Sequence, residues 1–257
     1  MKRGQLTLFM IIGIVLVVLI ALVVVFREQI TEKTETVITP TLSMNKEARQ
    51  VQQDMTTCIK ELAETAVVVM SLQGGYIELE NVPHTNTTSK INYLLYSGTA
   101  YAYYKGKNTV PTKEVMEKEI VNFIKDNSII CKKTYEDMEV TYGSIEPTVR
   151  IDKDSITINA NTPVQIKKGE AQSEIKSVST KINVRMGRVQ DALNQIVEEQ
   201  LRISPKEVCL SCITRIAAEN DIEINIDRIG EDIFYMVFDE KSKLGNANFI
   251  FIIANRF

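Results

Sequence analysis

The sequence predicts an α+β fold, with an N-terminal transmembrane helix followed by an exported domain that has a long amphipathic helix, antiparallel hairpins and two or three further helices. The first observation is the stretch from Leu6 to Phe26, which contains no charged residue. As a helix rising about 1.5 Å per residue it is about 32 Å long, enough to cross a hydrocarbon core of about 30 Å. The second is that helical periodicity alternates with blocks of short strand-like segments over the remaining chain.

Positive charge near the start of the chain orients the predicted anchor. Lys2 and Arg3 precede the apolar stretch, so the positive-inside tendency predicts a cytoplasmic N-terminus and a cell-membrane protein whose bulk is extracytoplasmic. We predict a cytoplasmic stub and anchor at residues 1–33, a linker at 34–42 and an extracytoplasmic α+β region at 43–257. That region suits one large domain or two subdomains, 43–135 and 136–257. The lipid bilayer is then the first partner, through Leu6 to Phe26.

Composition argues against several classes of function. A formal net charge of −3 without a basic stripe argues against a nucleic-acid partner. The single histidine, His84, lies in a predicted loop and argues against histidine triads and multi-histidine metal centres. We therefore expect no catalytic residue, no cofactor and no metal. Four cysteines, at 58, 131, 209 and 212, lie in the part predicted to be outside the cytoplasm, where disulfides form, and they permit three pairings.

The residues before the apolar stretch leave two interpretations open. One is an uncleaved signal anchor. The other follows from the sequence of residues 2–5, Lys-Arg-Gly-Gln, which resembles the archaeal type IV prepilin signal and implies cleavage between Gly4 and Gln5. The match is imperfect, because Phe9 stands where such pilins carry glutamate, and Pro40 prevents a continuous helix into the exported part.

The first exported element is predicted to be a helix of about 30 residues. Ser43 is its predicted N-cap, and the Gln-Gly-Gly sequence at 73–75 ends it. Its apolar residues recur every three or four positions, which predicts one buried face: Met44, Ala48, Val51, Met55, Cys58 or Ile59, Leu62, Ala66 and Val69 or Met70. Core packing against a sheet is the main interpretation of that face, and a coiled-coil seam with another chain is the alternative.

Short strands and a second helix follow. Strands are predicted at 76–79, 92–96 and 99–104, and Asn86 lies in an N-glycosylation triplet between the first two. The tyrosines of this region are predicted to pack in the core or at its rim, with a ligand or glycan platform as the alternative: Tyr93, Tyr96, Tyr101, Tyr103 and Tyr104. The second helix opens at Thr112 and extends towards Cys131. If it shares a core with the first, Cys58 and Cys131 could meet and close a loop of about 70 residues.

The second half of the exported region alternates hairpins with helices. Strands are predicted at 140–142, 148–151, 155–160, 164–166 and 174–184, with turns at 152–154 and 167–170, and such short connections require antiparallel pairing. A helix at 187–202 is followed by another with Ser204 as N-cap and Pro205 at its first position, running to Asn220. Strands at 222–227, 233–238 and 249–254 close the chain.

The Cys-Leu-Ser-Cys sequence at 209–212 is the most distinctive local motif. In a thioredoxin-like oxidoreductase the first cysteine of such a pair lies at a helix N-terminus, where its thiolate is stabilised. Here the predicted helix begins at Pro205, which places Cys209 and Cys212 about a turn inside it. A local disulfide, or two small buried residues, is therefore preferred over redox catalysis. A zinc site is disfavoured because this is the only pair with ligand-like spacing.

The whole chain resembles a family of single-pass membrane proteins of small-genome (DPANN-type) archaea. The shared features are Lys2-Arg3-Gly4-Gln5 before a long apolar helix, Cys58, Leu72-Gln73-Gly74-Gly75-Tyr76, Tyr103-Tyr104, Met116-Glu117-Lys118-Glu119-Ile120, Cys131, Pro163, Lys168-Gly169 and Ala254-Asn255-Arg256-Phe257. Cys209 and Cys212 are not among them. The resemblance implies a location and an architecture, and it implies no reaction.

Three functional hypotheses follow. The first is a membrane-anchored cell-surface protein that is not an enzyme and does structural or recognition work, with copies of itself or other surface proteins as partners. The second is a type IV pilin-like filament subunit processed after Gly4. The third is an extracytoplasmic thiol oxidoreductase that uses Cys209 and Cys212.

Overall fold

The computed structural model describes residues 46–81, 93–94, 98–203 and 207–257. These residues form a mixed α+β structure with four α-helices and two β-sheets, which confirms the predicted fold class. The predicted anchor at 1–33 and linker at 34–42 lie outside the described residues. Among the residues that are described, no helix combines the length and the apolar character needed to cross a membrane.

The elements follow in chain order. The helices are α1 (Lys46–Leu72), α2 (Lys113–Asn127), α3 (Met186–Leu201) and α4 (Leu210–Asn220), with short 3₁₀ helices at Leu79–Asn81 and Ser128–Cys131. The strands are β1 (Tyr93–Leu94), β2 (Thr99–Tyr104), β3 (Lys107–Asn108), β4 (Glu139–Tyr142), β5 (Glu146–Ile151), β6 (Ile156–Lys168), β7 (Ala171–Ile182), β8 (Glu223–Ile229), β9 (Asp232–Leu244) and β10 (Ala247–Arg256).

Helix α1 is the predicted long amphipathic helix. Its buried residues recur every three or four positions along one face: Ala48, Val51, Met55, Ile59, Leu62, Ala63, Ala66, Val67 and Met70. It ends as predicted, since Gly74 has a φ of 74° and the Gly75 amide donates to the Met70 carbonyl oxygen at 2.9 Å. This six-to-one bond is that of a Schellman motif. The apolar face packs against β7, β10 and α2, so it is part of the core and not a coiled-coil seam.

Sheet A combines strands β1 to β3, which follow α1, with strands β8 to β10 at the C-terminal end of the chain. Its strands follow the order β1-β2-β10-β9-β8, with β3 paired to β2. The hairpins β8–β9 and β9–β10 are antiparallel, as the short connections require, whereas β2 and β10 pair in parallel and place Tyr101 opposite Ala254. That parallel pair unites segments separated by about 150 residues and was not predicted.

Sheet B is built around the long strand β6. β7 pairs with β6 along its length, while β5 and β4 pair with successive halves of its other edge. The sequence predicted two strands here, at 155–160 and 164–166, and this is wrong. The register shifts between Asn161 and Val164, and Pro163, which has no N–H to give to a ladder, lies within that irregularity. The segment therefore forms a single bulged strand, β6, in place of the two predicted strands.

The strand predicted at 76–79 is also absent. Residues 76–78 form a bend, followed by a 3₁₀ helix at Leu79–Asn81. The amides of Ile77 and Glu78 each donate to Oε2 of Glu119 on α2, both at 2.8 Å. Because a charged carboxylate binds amides more strongly than a neutral carbonyl does, these donors are satisfied without a neighbouring strand. Of the strand predicted at 92–96, the described part is β1.

A buried ion pair connects α3, α4 and β9. The Nε atom of Arg185, just before α3, lies 3.0 Å from Oδ2 of Asp239 on β9, and Nη2 donates to Oδ1 of the same carboxylate. The side chain of Asp239 is fully buried and that of Arg185 is 11% exposed. Ser242 donates its hydroxyl to Asp239. At the end of α4, Arg185 Nη2 also donates to the Asp221 carbonyl oxygen at 2.8 Å.

The partners of Asp239 determine its ionisation. Burial alone would raise the pKa of this carboxyl, but the hydrogen bonds from Arg185 and Ser242 and the positive charge of Arg185 outweigh burial and hold the pKa below its usual value. Asp239 is therefore a buried carboxylate that stays charged.

We expect Arg185→Met to lower the free energy of unfolding by about 3–5 kcal/mol, because it leaves the Asp239 charge buried without its partner. The matched control is Arg188→Met, whose ion pair with Asp154 at 2.9 Å is solvent-exposed and should cost less than about 1 kcal/mol. Urea unfolding of the full chain measures both. Equal losses in the two variants would contradict the assigned role of Arg185.

Acid should weaken the fold through Asp239. The pKa of Asp239 in the folded protein is below the unfolded value of about 3.9, so the unfolded chain binds more protons in acid. Asp239 therefore contributes its full stabilisation at pH values above the unfolded pKa. This stabilisation is lost as the pH falls through the folded pKa. Asp239→Asn removes this contribution, so we expect its unfolding free energy to fall less steeply than that of the wild type below about pH 4. Parallel pH profiles for the two proteins would show that Asp239 does not contribute this dependence.

Candidate functional site

The cysteine pair at 209–212 lies at the start of α4 and not inside it. Cys209 is the N-cap residue, its sulfur accepts a hydrogen bond from the Cys212 amide at 3.3 Å, and its carbonyl oxygen accepts the first helical bond from Ile213 at 3.1 Å. The predicted start at Pro205 is wrong, and residues 204–206 lie outside the described part of the chain. A helix that began there would occupy the Glu207 carbonyl oxygen, which instead accepts from the Gln200 side chain at 2.6 Å.

Cys209 and Cys212 form a disulfide that solvent reaches. Their Cα atoms are 5.2 Å apart and both residues are half-buried. Between them, the Leu210 side chain is 62% exposed, and the Ser211 hydroxyl oxygen lies 3.6 Å from the Cys209 sulfur. At the end of the neighbouring helix α3, Leu201 is 42% exposed. The disulfide thus has a small polar group, the Ser211 hydroxyl, and an accessible apolar side chain, Leu210, beside it.

The rest of α4 is firmly attached to the protein. Ile213 and Ile216 are buried in the main core. Arg215 contacts Glu199 of α3 at 3.4 Å, and Arg185 binds the carbonyl end of the helix. Because these contacts are independent of the two sulfurs, the disulfide lies on a fixed support.

The second disulfide, Cys58–Cys131, has a different setting. It joins the apolar face of α1 to the 3₁₀ helix after α2, its Cα atoms are 5.6 Å apart and Cys131 is only 2% exposed. The sulfurs that the sequence suggested could meet are therefore bonded. The bridge spans 73 residues, for which loop entropy gives a stabilisation of about 4 kcal/mol, against about 2 kcal/mol for the four-residue loop at Cys209–Cys212.

Two of the tyrosines that the sequence singled out are packed in the core. Tyr101 and Tyr103 on β2 are buried, and Tyr101 donates its hydroxyl to Asp232 Oδ1 at 3.0 Å. Burial, and then the hydrogen bond to Asp232, raise the pKa of Tyr101. The side chains of Tyr93 and Tyr96, together with Gly4, Gln5 and Asn86, lie outside the described residues. For the buried tyrosines, the packing interpretation is confirmed.

A polar cleft lies beside α3. It encloses about 250 Å³ and is lined by Lys153, Arg188, Asp191, Asn194, Gln195 and Asn220. Two of its charged side chains are already paired, since Arg188 binds Asp154 at 2.9 Å and Asp191 binds Lys113 at 2.7 Å. In the described ranges, no three His, Cys, Asp or Glu side chains come together as they would around a metal ion. Neither the buried tyrosines nor this cleft offers a reactive group comparable to the Cys209–Cys212 disulfide.

Sequence reasoning missed the N-cap position of Cys209, although a periodicity signal existed. The buried face of α4 begins at Ile213 and continues at Ile216. On the same helical face, the position four residues before Ile213 is Cys209, and the position seven residues before Ile213 is Lys206, which is charged. The apolar pattern therefore favours a start near Cys209, and the Ser-Pro pair at 204–205 misplaced it.

The two disulfides should contribute unequally to stability. Because a longer closed loop loses more unfolded-state entropy, we expect Cys58→Ala/Cys131→Ala to lower the unfolding free energy by about 4 kcal/mol and Cys209→Ser/Cys212→Ser by about 2 kcal/mol or less. Urea unfolding of the two double variants of the full chain measures this difference. A larger loss at Cys209–Cys212 would assign that pair a mainly structural role.

Comparison with known proteins gives no match: no family model, no curated protein and no solved structure matches the chain.

Proposed function

We propose that this chain is a membrane-anchored extracytoplasmic protein whose α+β region does structural or recognition work at the cell surface. The observation that carries the proposal is the Cys58–Cys131 disulfide, in which Cys131 is buried and Cys58 is half-buried. Disulfides persist in oxidising compartments and are rare in the reducing cytosol, and no cysteine of this chain is left unpaired. Complete pairing supports an exported location for the α+β region.

The N-terminal sequence supports an anchor as the route to that location. The stretch from Leu6 to Phe26 has no charge, and Lys2 and Arg3 precede it. In the proposed topology the bilayer holds the chain through this stretch, and its partners are copies of itself or other surface proteins. Membership of the archaeal single-pass family that the chain resembles belongs to the same proposal.

A protease-protection experiment tests the topology. The full chain, carrying a C-terminal epitope tag, is expressed in a bacterial host, and protease is added outside spheroplasts. We expect the tag to be digested and the four cysteines to resist alkylation until a reductant is added. The matched control lacks residues 6–26. Its tag should be protected and its thiols should alkylate directly, because it stays in the reducing cytosol.

Two outcomes would overturn the proposal. One is a protected tag, or freely alkylated cysteines, in the full chain. The other is an intact mass lacking the first four residues, together with thin filaments, for protein extracted from its native membrane. That second result would favour the pilin-like alternative and make the apolar stretch an assembly element.

A further inference from the structure

We propose that the Cys209–Cys212 disulfide is an exchange site that oxidises the dithiol of an exported polypeptide. The inference adds an activity to the proposed surface role and rests on the extracytoplasmic location proposed there, whereas the exchange chemistry is tested on the purified chain. It stands on three observations at one place: the pair spans the N-terminus of α4, it is solvent-accessible, and α4 is held by contacts that do not involve the sulfurs.

The position of Cys209 favours the reduced form of the pair. Its sulfur already accepts the Cys212 amide hydrogen at 3.3 Å, and the helix N-terminus adds a partial positive charge. A thiolate at Cys209 would keep that hydrogen bond and strengthen it, because a charged acceptor binds an amide more tightly. A disulfide whose reduced form is stabilised is a stronger oxidant, so this geometry favours donation of the disulfide to a substrate dithiol.

The exchange is balanced in two steps. A substrate thiolate attacks the Cys209 sulfur, a substrate–Cys209 bond forms, the Cys209–Cys212 bond breaks and Cys212 leaves as a thiolate that takes up a proton. The second substrate thiolate attacks the substrate sulfur of the mixed disulfide, and Cys209 leaves as the thiolate that the Cys212 amide stabilises. The substrate dithiol loses two electrons and two protons, and the protein disulfide gains them.

The surroundings indicate the class of substrate. Leu210, exposed between the two cysteines, offers apolar contact beside the disulfide. Apolar side chains are accessible in polypeptides that have not finished folding, which are also those whose cysteines are still reduced. The expected substrate is therefore an unfolded or extended polypeptide and not a small thiol.

Exchange with a defined peptide tests the proposal. The oxidised full chain in detergent is mixed with an equimolar synthetic peptide carrying two reduced cysteines, then acid-quenched, alkylated and analysed by mass spectrometry. We expect one peptide disulfide per chain, alkylation at Cys209 and Cys212 but not at Cys58 and Cys131, and a rate about tenfold or more above that of oxidised glutathione at equal concentration. A rate no greater than that of glutathione, or equal reduction of both protein disulfides, would overturn the proposal.

Single-cysteine variants separate the two roles. Each is mixed with a disulfide-linked dimer of a single-cysteine peptide. Cys212→Ser retains the attacking Cys209 and should accumulate a mixed disulfide with one peptide, releasing the other peptide as a thiol, because Cys212 is no longer present to resolve the bond. Cys209→Ser should accumulate about tenfold less in the same time, since Cys212 lacks the N-cap position. Equal trapping by the two variants would contradict the assignment, and an unchanged Cys58–Cys131 bond in each shows that the fold is intact.

Discussion

The burial of one face of α1 is the constraint on which the rest of the structure depends. This helix contacts β7 of sheet B, β10 of sheet A and α2, so elements from distant parts of the chain share one apolar surface. Each fully buried Val, Ile, Leu or Met side chain is worth about 1.5–3 kcal/mol relative to an exposed one, and α1 supplies several. The Cys58–Cys131 bond links that face to the segment after α2, which removes the alternative in which α1 pairs with another chain.

The buried Arg185–Asp239 pair has a local effect that packing alone would not provide. Arg185 binds Asp239 and the last carbonyl oxygens of α4 simultaneously, so a single guanidinium fixes the end of α4 relative to β9. A buried ion pair costs desolvation and therefore adds little net stability, but it tolerates few alternative arrangements. The N-terminus of α4, with Cys209, is thus positioned by a contact at the opposite end of the same helix.

Local patterns predicted most of the elements, and the misses share a physical origin. The helices and hairpins follow from periodicity and turn residues within short windows. The apolar surroundings of Cys58 and Cys131 suggested only that the two sulfurs could meet, and the pairing of the four cysteines was left open. The parallel pairing of β2 with β10 and the capture of the Ile77 amide by Glu119 depend on contacts distant in sequence, which no window contains. The start of α4 was misplaced because a strong local N-terminal pattern at Ser204-Pro205 outweighed the apolar periodicity. The expectation of no catalysis depended partly on that misplacement.

The two disulfides differ in what reduction would change. Breaking Cys58–Cys131 frees a long loop in the core, whereas breaking Cys209–Cys212 leaves both thiols close together on one helical turn, at a high effective concentration for re-forming the bond. The burial of Ile213 and Ile216 and the contact of Arg215 with Glu199 do not involve the sulfurs, so we expect both to persist after reduction. The Cys209 sulfur can accept the Cys212 amide hydrogen in either redox state, so α4 keeps its cap. A disulfide can cycle without unfolding its support only where the support is held by other contacts, and Cys209–Cys212 combines such a support with two half-exposed cysteines, whereas Cys131 is buried.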